Sequence, residues 1–130
     1  MSISCDEAAR DRARGALVGL AVGDALGTTL EFTPKDRYQP LTTLVGAGPF
    51  LLEAGEWTDD TSMALALATS LIEKGGLDEC DLMERFCAWA ERGEYSHNGC
   101  CVDIGATVRA ALDRYRQSGE PISGSTEPHT

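Results

Sequence analysis

Residues 56–74 read EWTDDTSMALALATSLIEK, a short acidic and hydroxyl-rich segment followed by a long run of small and apolar residues. The run from Thr61 to Lys74 predicts a helix that is buried on most of its sides. Where that helix begins, Asp59 and Asp60 stand between the hydroxyls of Thr58 and Thr61. A segment that turns into a helix can aim Thr58, Asp59 and Asp60 at one point, and such oxygen ligands suit Mg²⁺, Mn²⁺ or Ca²⁺ better than Zn²⁺.

The same residues are also typical of a helix cap. Thr and Asp are preferred at the N-cap position, and acidic side chains in the first turn complement the helix dipole. Because most helices begin with residues of this kind, the motif in isolation supports capping and metal binding about equally.

The composition excludes several classes of protein. A chain of 130 residues has the size of one domain and can form a core without disulfides. Its five cysteines form no CxxC pair, so zinc and redox motifs are not indicated, and the odd count favours a reducing cytoplasm. Apolar stretches are too short to span a bilayer. The net charge of −10 argues against binding to nucleic acid, so an anionic ligand needs a local cation.

Helical periodicity dominates the rest of the chain. Further helices are predicted over Asp6 to Leu26, Asp78 to Arg92 and Asp103 to Gln117. No stretch shows the alternation of a strand, so the predicted fold class is all-α. Residues 28–57 hold three of the five prolines and lack a sustained period, which indicates a long ordered loop. Loops of this length in compact domains commonly carry function.

The first helix shows two stripes. Its apolar face is formed by Ala13, Ala16, Leu17, Leu20 and Ala21. A second stripe consists of Gly15, Gly19, Gly23 and Gly27, and each glycine within a helix costs about 1 kcal/mol relative to alanine. We therefore expect another backbone to pack against that side. Asp24 continues the apolar face toward the interior, where a carboxylate requires backbone amides, an arginine such as Arg14, or a metal.

Four motifs, in order along the chain, resemble the ADP-ribosylglycohydrolase family. They are Arg14–Leu17 with Gly23–Gly27, Glu31-Phe32, Gly55–Thr61 with Met63, and Cys101–Gly105. The resemblance implies an all-helical, orthogonally packed hydrolase with two Mg²⁺ ions, or Mn²⁺. Such an enzyme hydrolyses the glycosidic bond between ADP-ribose and a modified protein residue or small acceptor.

The resemblance also implies roles for individual residues. The segment Thr58–Asp60 matches the metal-binding motif, and Asp60 is assigned to catalysis as well. Glu31 matches a glutamate on the loop that covers the site, where it contacts ligand or metal, and it is assigned to catalysis and to substrate binding. Asp103 matches a ribose or phosphate contact and candidate base, with Gly105 in the same substrate-binding segment. From the residues alone, Glu31 is a solvated loop acid and Asp103 an N-cap.

The chain also departs from the family pattern. Residues 1–117 are interpreted as the N-terminal part of such a domain, and residues 118–130 as a polar, flexible tail. Family members are more than twice as long and complete the binuclear centre with an Asp-x-Asp-Thr motif. Nothing after Asp60 supplies that motif, so we expect an apparently truncated chain with an incomplete centre.

Two functions follow from this interpretation. The first is a metal-dependent glycohydrolase that acts on an ADP-ribosylated protein or small molecule when the missing half is present. The second is a non-catalytic module that binds ADP-ribose or another partner. Neither involves a membrane. Apolar helix faces left without a partner further predict self-association.

Overall fold

The computed structural model describes residues 7–126, and the chain divides into two compact units between Thr61 and Ser62. The elements in order are α1 (Glu7–Gly27), a 3₁₀ helix (Thr28–Leu30), α2 (Asp59–Lys74), α3 (Glu79–Arg92) and α4 (Ala106–Ser118). The described residues contain no strand, only an isolated bridge, so the all-α prediction is confirmed. The predicted helix start at Asp6 and the last four residues of the predicted tail, 127–130, lie outside the described residues.

In the first unit, α1 continues directly into the 3₁₀ helix, because Gly27 between them keeps helical angles of φ −72° and ψ −38°. The long connection that follows is an ordered loop, as predicted. It is closed by the bridge between Ala47 and Leu52, with N–H to carbonyl distances of 2.6 and 3.1 Å. Gly46 is required here, since a Cβ atom would stand 2.6 Å from the Leu52 carbonyl oxygen.

The core of the second unit lies between α3 and α4. Cys87, Leu112 and Tyr115 are buried there, and the partly buried side chains around them are Met83, Phe86, Ala90, Ile104 and Val108. Within each helix, these residues recur at three- and four-residue spacing, which places them on one side of it. The Tyr115 hydroxyl donates a hydrogen bond to Glu84 at 2.8 Å, which raises the pKa of Tyr115 to about 12.

The helix α3 has clear end signals. The Asp78 side chain accepts the Asp81 N–H at 3.0 Å, which makes Asp78 the N-cap. At the other end Gly93 is left-handed, with φ 65°. A Cβ atom on Gly93 would stand 2.0 Å from the carbonyl carbon of Gly99, so only glycine fits this position.

The helix α2 is less buried than predicted. Ser62, Ala66 and Ser70 form a buried stripe at four-residue spacing, each at most 1% exposed. On other sides of the helix Leu71 is exposed and Ile72 is 80% exposed. Small or apolar residues lie on all sides of α2, yet within residues 7–126 only the side formed by these small residues is fully buried.

The two stripes of α1 are also not packed as expected. Leu17 and Leu20 on the apolar face are exposed, and Ala25 is the buried residue of the helix. A Cβ atom added to Gly15, Gly19, Gly23 or Gly27 would meet no described atom within 4 Å. The backbone expected against the glycine stripe is therefore not found in the described part of the chain.

The start of α4 differs from the prediction. The helix begins at Ala106, with Gly105 as its N-cap and no side-chain cap. Asp103 has a φ of 58°, in the left-handed region, so it is outside the helix and is not the N-cap. Within residues 7–126, every helix is too short or too polar to span a bilayer.

Candidate functional site

Asp24 of α1 holds the start of α2 through both of its carboxylate oxygens. The Thr58 hydroxyl donates to Oδ1 at 2.6 Å, and the Thr58 N–H lies 3.1 and 3.0 Å from the two oxygens. Thr61 donates both its N–H, at 3.0 Å, and its hydroxyl, at 2.7 Å, to Oδ2. Of the explanations for Asp24, the backbone amides are therefore correct, and Arg14 is not its partner.

Asp24 bonds the amides at the start of α2. Thr58 directly precedes the helix, and the amide of Thr61, three residues later, donates to Asp24. A carboxylate near these amides is also favoured by the positive end of the helix dipole. The Thr58 hydroxyl donates a hydrogen bond to Asp24, and the lone pairs of its oxygen can accept further bonds. That leaves oxygen lone pairs of the kind a hard cation binds.

Asp59 and Asp60 form the first turn of α2 beside this clamp. Asp59 is half-buried and Asp60 is exposed. Burial raises the pKa of Asp59 above its ordinary value of 3.8, and the neighbouring charge of Asp60 raises it further. A cation bound between the two acids would relieve both effects, so the donor set fits a hard divalent ion.

The donor set is small, however. Within residues 7–126, no three or more His, Cys, Asp or Glu side chains cluster in a way that could hold a metal. Among the described residues, the candidate site therefore consists of two carboxylates and the Thr58 hydroxyl. Two divalent ions carry four positive charges, against two negative charges from Asp59 and Asp60, so further acidic ligands are needed for a binuclear centre.

Glu31 lies in the same unit, just after the 3₁₀ helix. Its N–H donates to the Thr28 carbonyl at 3.2 Å, which fixes the backbone, while its side chain is exposed. The next residue, Phe32, is left-handed with φ 59°, is 76% exposed, and places its ring edge 6.3 Å from the Phe50 ring. The loop position predicted for Glu31 is confirmed, and its contact with ligand or metal stays a prediction.

Asp103 and Gly105 lie in the second unit, in the connection between α3 and α4. Asp103 is half-buried, and its left-handed backbone separates it from the helix that follows. Gly105 begins that helix with φ −65° and ψ 150°. Their assignment to substrate binding, and that of Asp103 to catalysis, remain predictions.

Thr61 is a site residue that the sequence analysis did not single out. The spacing of the two threonines could have indicated this role, because Thr58 directly precedes α2 and Thr61 is its third residue. Hydroxyls at those two positions flank the exposed amides of a helix start, so an acid that satisfies those amides can bond both hydroxyls too.

Comparisons with known proteins agree with this fold. The sequence profile described as ADP-ribosylglycohydrolase matches residues 6–128. The ADP-ribosylarginine hydrolase Tri1 of Serratia proteamaculans is 55% identical over 120 residues, which are 92% of this chain and 32% of that protein. The ADP-ribosyl-[dinitrogen reductase] glycohydrolase of Rhodospirillum rubrum is 42% identical over 121 residues, which are 90% of this chain and 39% of that protein.

A solved structure supports the same relationship. The chain is similar to one from an ADP-ribosylglycohydrolase-related protein complex, with a TM-score of 0.76 and 41% identity over 89% of this chain and 36% of that one. The helical fold is that of the ADP-ribosylglycohydrolase class. The chain belongs to the ADP-ribosylglycohydrolase family, and it spans about a third of the length of the relatives it matches.

Proposed function

We propose that this chain contributes the N-terminal part of a metal-assisted ADP-ribosylglycohydrolase site. The substrate class is an ADP-ribosylated protein side chain or small acceptor, and the bond hydrolysed is the glycosidic bond to ADP-ribose. The names of the Serratia and Rhodospirillum relatives refer to ADP-ribosylarginine and to ADP-ribosyl-dinitrogen reductase. Arginine is accordingly the acceptor that we would test first.

The observation that carries the proposal is the geometry at the start of α2. Asp24 accepts hydrogen bonds from the hydroxyls and the amides of Thr58 and Thr61, which fixes the turn that presents Asp59 and Asp60. Helices are more precise supports than loops for a site that must orient a sugar. Asp24 is a positioning residue in this scheme, and it does not contact the substrate.

In the proposed site, Thr58, Asp59 and Asp60 hold Mg²⁺, or Mn²⁺. The bound cation supplies positive charge that orients the ribose hydroxyls and a water, and it allows a chain of net charge −10 to accept an anionic diphosphate. Glu31 contacts the ligand from its own loop. Asp60 is the candidate proton acceptor for the attacking water, since cleavage passes through an oxocarbenium-like state.

The experiment has a binding arm and an activity arm. Calorimetry measures Mg²⁺ binding to the wild-type chain and to Asp59→Asn and Asp60→Asn. Loss of one charge-assisted contact should weaken binding by about tenfold or more. Release of ADP-ribose from an arginine-modified protein is then followed with Mg²⁺ and with EDTA, where metal-dependent release is expected.

The matched control is Asp36→Asn, which removes a carboxylate from an exposed loop position in the same unit. Its Mg²⁺ affinity should equal that of the wild-type chain. Equal weakening by all three variants would show that overall charge, rather than this site, binds the ion. Binding of ADP-ribose without any turnover would instead favour the non-catalytic binding module, which is the alternative for a chain that spans a third of its relatives.

A further inference from the structure

The sequence contains a single asparagine, Asn98, and a glycine follows it directly. Both residues are exposed and belong to the connection between α3 and α4 in the second unit. The side-chain carbonyl carbon of an asparagine can react with the next backbone nitrogen, since their bond closes a five-membered ring. Gly99 leaves that nitrogen unshielded because it has no Cβ atom. The pair is therefore open to attack by the chain on its own side chain.

The Asn98 side chain is already turned toward the residues that follow it. The Cys100 N–H donates to Asn98 Oδ1 at 2.9 Å, which closes a turn through the side chain. A backbone N–H requires an acceptor, so the side-chain oxygen rather than Nδ2 faces Cys100. Within residues 7–126, neither the Gly99 N–H nor Asn98 Nδ2 makes a hydrogen bond. The attacking nitrogen and the leaving nitrogen are thus both unengaged.

The donor in this turn is held by close packing. A Cβ atom on Gly93, at the end of α3, would stand 2.0 Å from the Gly99 carbonyl carbon and 2.3 Å from the Cys100 nitrogen. The peptide between Gly99 and Cys100 therefore lies directly against the end of that helix. Gly99 itself is left-handed, with φ 73°, a conformation that residues with a Cβ atom rarely adopt. The fold fixes the Cys100 N–H where it points at the Asn98 carbonyl.

We propose that Asn98 is a site of spontaneous deamidation in the folded chain, and that the Cys100 N–H assists the reaction. A donor already aimed at the oxygen on which negative charge develops lowers the barrier without rearrangement, as in an oxyanion hole. The inference is independent of the proposed glycohydrolase activity, since it needs neither metal nor substrate.

The reaction consumes only water. Hydroxide removes the proton of the Gly99 N–H, and the nitrogen bonds to Asn98 Cγ while the carbonyl electron pair moves onto Oδ1. The Cys100 N–H donates to this charged oxygen. The bond between Cγ and Nδ2 then breaks, and Nδ2 takes a proton from water and leaves as ammonia, which restores the hydroxide. Water opens the cyclic imide at either carbonyl and gives aspartate or isoaspartate at position 98.

The product changes the connection that also carries Asp103. Either form adds one negative charge to a chain whose net charge is −10. Isoaspartate further inserts a methylene group into the backbone, directly before the peptide that packs against Gly93. The modification therefore alters both the charge and the length of this loop.

Mass spectrometry of the intact folded chain, incubated over several days, measures the replacement of NH₂ by OH, and fragmentation locates it at position 98. The same chain unfolded in urea, at the same pH and temperature, is the reference. The folded chain should react about fivefold faster, the value of one neutral hydrogen bond. Its rate should rise from pH 6 to pH 8, because the attacking nitrogen must lose a proton.

Asn98→Gln is the matched control, because it keeps a side-chain amide but requires a six-membered ring. It should show no reaction over the same period. Gly99→Ala keeps the asparagine and disfavours the left-handed backbone, so its reaction should be about tenfold slower.

A folded chain that keeps its Asn98 amide, or that reacts no faster than the unfolded chain, overturns the proposal, because the fold would then protect the amide. An equal mass change in Asn98→Gln would place the reaction at another amide, such as Gln39 or Gln117, and would overturn it as well. Faster loss in the folded chain, located at position 98 and absent from Asn98→Gln, supports it.

Discussion

Asp24 is the residue on which the start of α2 depends. Its two oxygens accept hydrogen bonds from the N–H groups and the hydroxyls of Thr58 and Thr61. Hydrogen bonds to a charged acceptor are roughly twice as strong as neutral ones, and the first amides of a helix otherwise have no partner within it. One side chain of α1 thus fixes the first turn of another helix.

Asp24→Asn should destabilise the first unit by about 2 kcal/mol. The amide keeps one acceptor oxygen but turns an NH₂ group toward hydroxyls and N–H groups that are themselves donors. Hydrogen exchange at the amides of Thr58 and Thr61 should accelerate, and denaturant unfolding should shift to lower concentration. The control Asp11→Asn neutralises an exposed acid of the same helix and should change neither. Unchanged exchange at Thr61 in Asp24→Asn would contradict this assignment.

The sequence indicated which residues form this site more fully than how they bond. The TDDT motif and the acid on the apolar face of α1 were both recognised, because a carboxylate among apolar residues is costly without a partner. The choice between Arg14 and backbone amides required three-dimensional structure, since Asp24 and Thr58 are 34 residues apart. The conformation of Asp103 was not predicted, because left-handed backbone at a non-glycine residue leaves little trace in sequence.

Arg85 joins three elements of the second unit. Its guanidinium donates to Asp81 on the same helix at 2.6 Å, to the Tyr95 hydroxyl at 2.8 Å, and to Glu73 of α2 at 2.5 Å. The side chains of Arg85 and Asp81 are each 17% exposed, so water screens this pair less than a surface ion pair. The hydrogen bond to Asp81 raises the pKa of Arg85, which keeps its charge at all relevant pH values.

Acid should weaken the second unit through Asp81. Its hydrogen bond with Arg85 lowers the pKa of Asp81 from 3.8 to about 2 in the folded chain. A lowered pKa means that the carboxylate stabilises the fold above about pH 4, and that this contribution is lost as the pH falls toward 2. The difference in unfolding free energy between wild type and Asp81→Asn should therefore be constant above pH 5 and shrink below pH 4.

Chemical denaturation at several pH values measures that difference. Glu120→Gln, which changes an exposed acid outside the network, should show no such pH dependence relative to wild type. If the difference between wild type and Asp81→Asn stays constant from pH 5 to pH 2, the Arg85 interaction does not hold the carboxylate in its charged form.

Elements with a clear polar side were predicted better than elements without one. The charged residues of α3 and α4 mark their solvent sides, so the apolar spacing identified the core of the second unit correctly. In α2, small and apolar residues lie on all sides of the helix. The sequence alone therefore does not show that the stripe of Ser62, Ala66 and Ser70 is the buried side. In α1 the glycines indicated close packing, but the residues described here do not supply a neighbour.

Within residues 7–126, α1 exposes several large apolar side chains. Val18 is 63% and Val22 is 50% exposed, one turn apart, and Leu17 and Leu20 are exposed beside them. Contiguous apolar surface of this kind usually marks a contact with another chain or segment. The net charge of −10 opposes contact between two copies, and salt reduces that repulsion.

Self-association of the chain should therefore depend on α1 and increase with salt. Sedimentation velocity over a concentration series should show a rising mean sedimentation coefficient for the wild-type chain, more steeply at high ionic strength. The double variant Val18→Ser with Val22→Ser removes apolar area without changing charge, and should weaken association by about tenfold or more. Ile122→Ser removes a similarly exposed side chain outside α1 and should associate as the wild type does. An equal effect of Ile122→Ser would assign the association to general hydrophobicity, because only a specific α1 contact distinguishes the two variants.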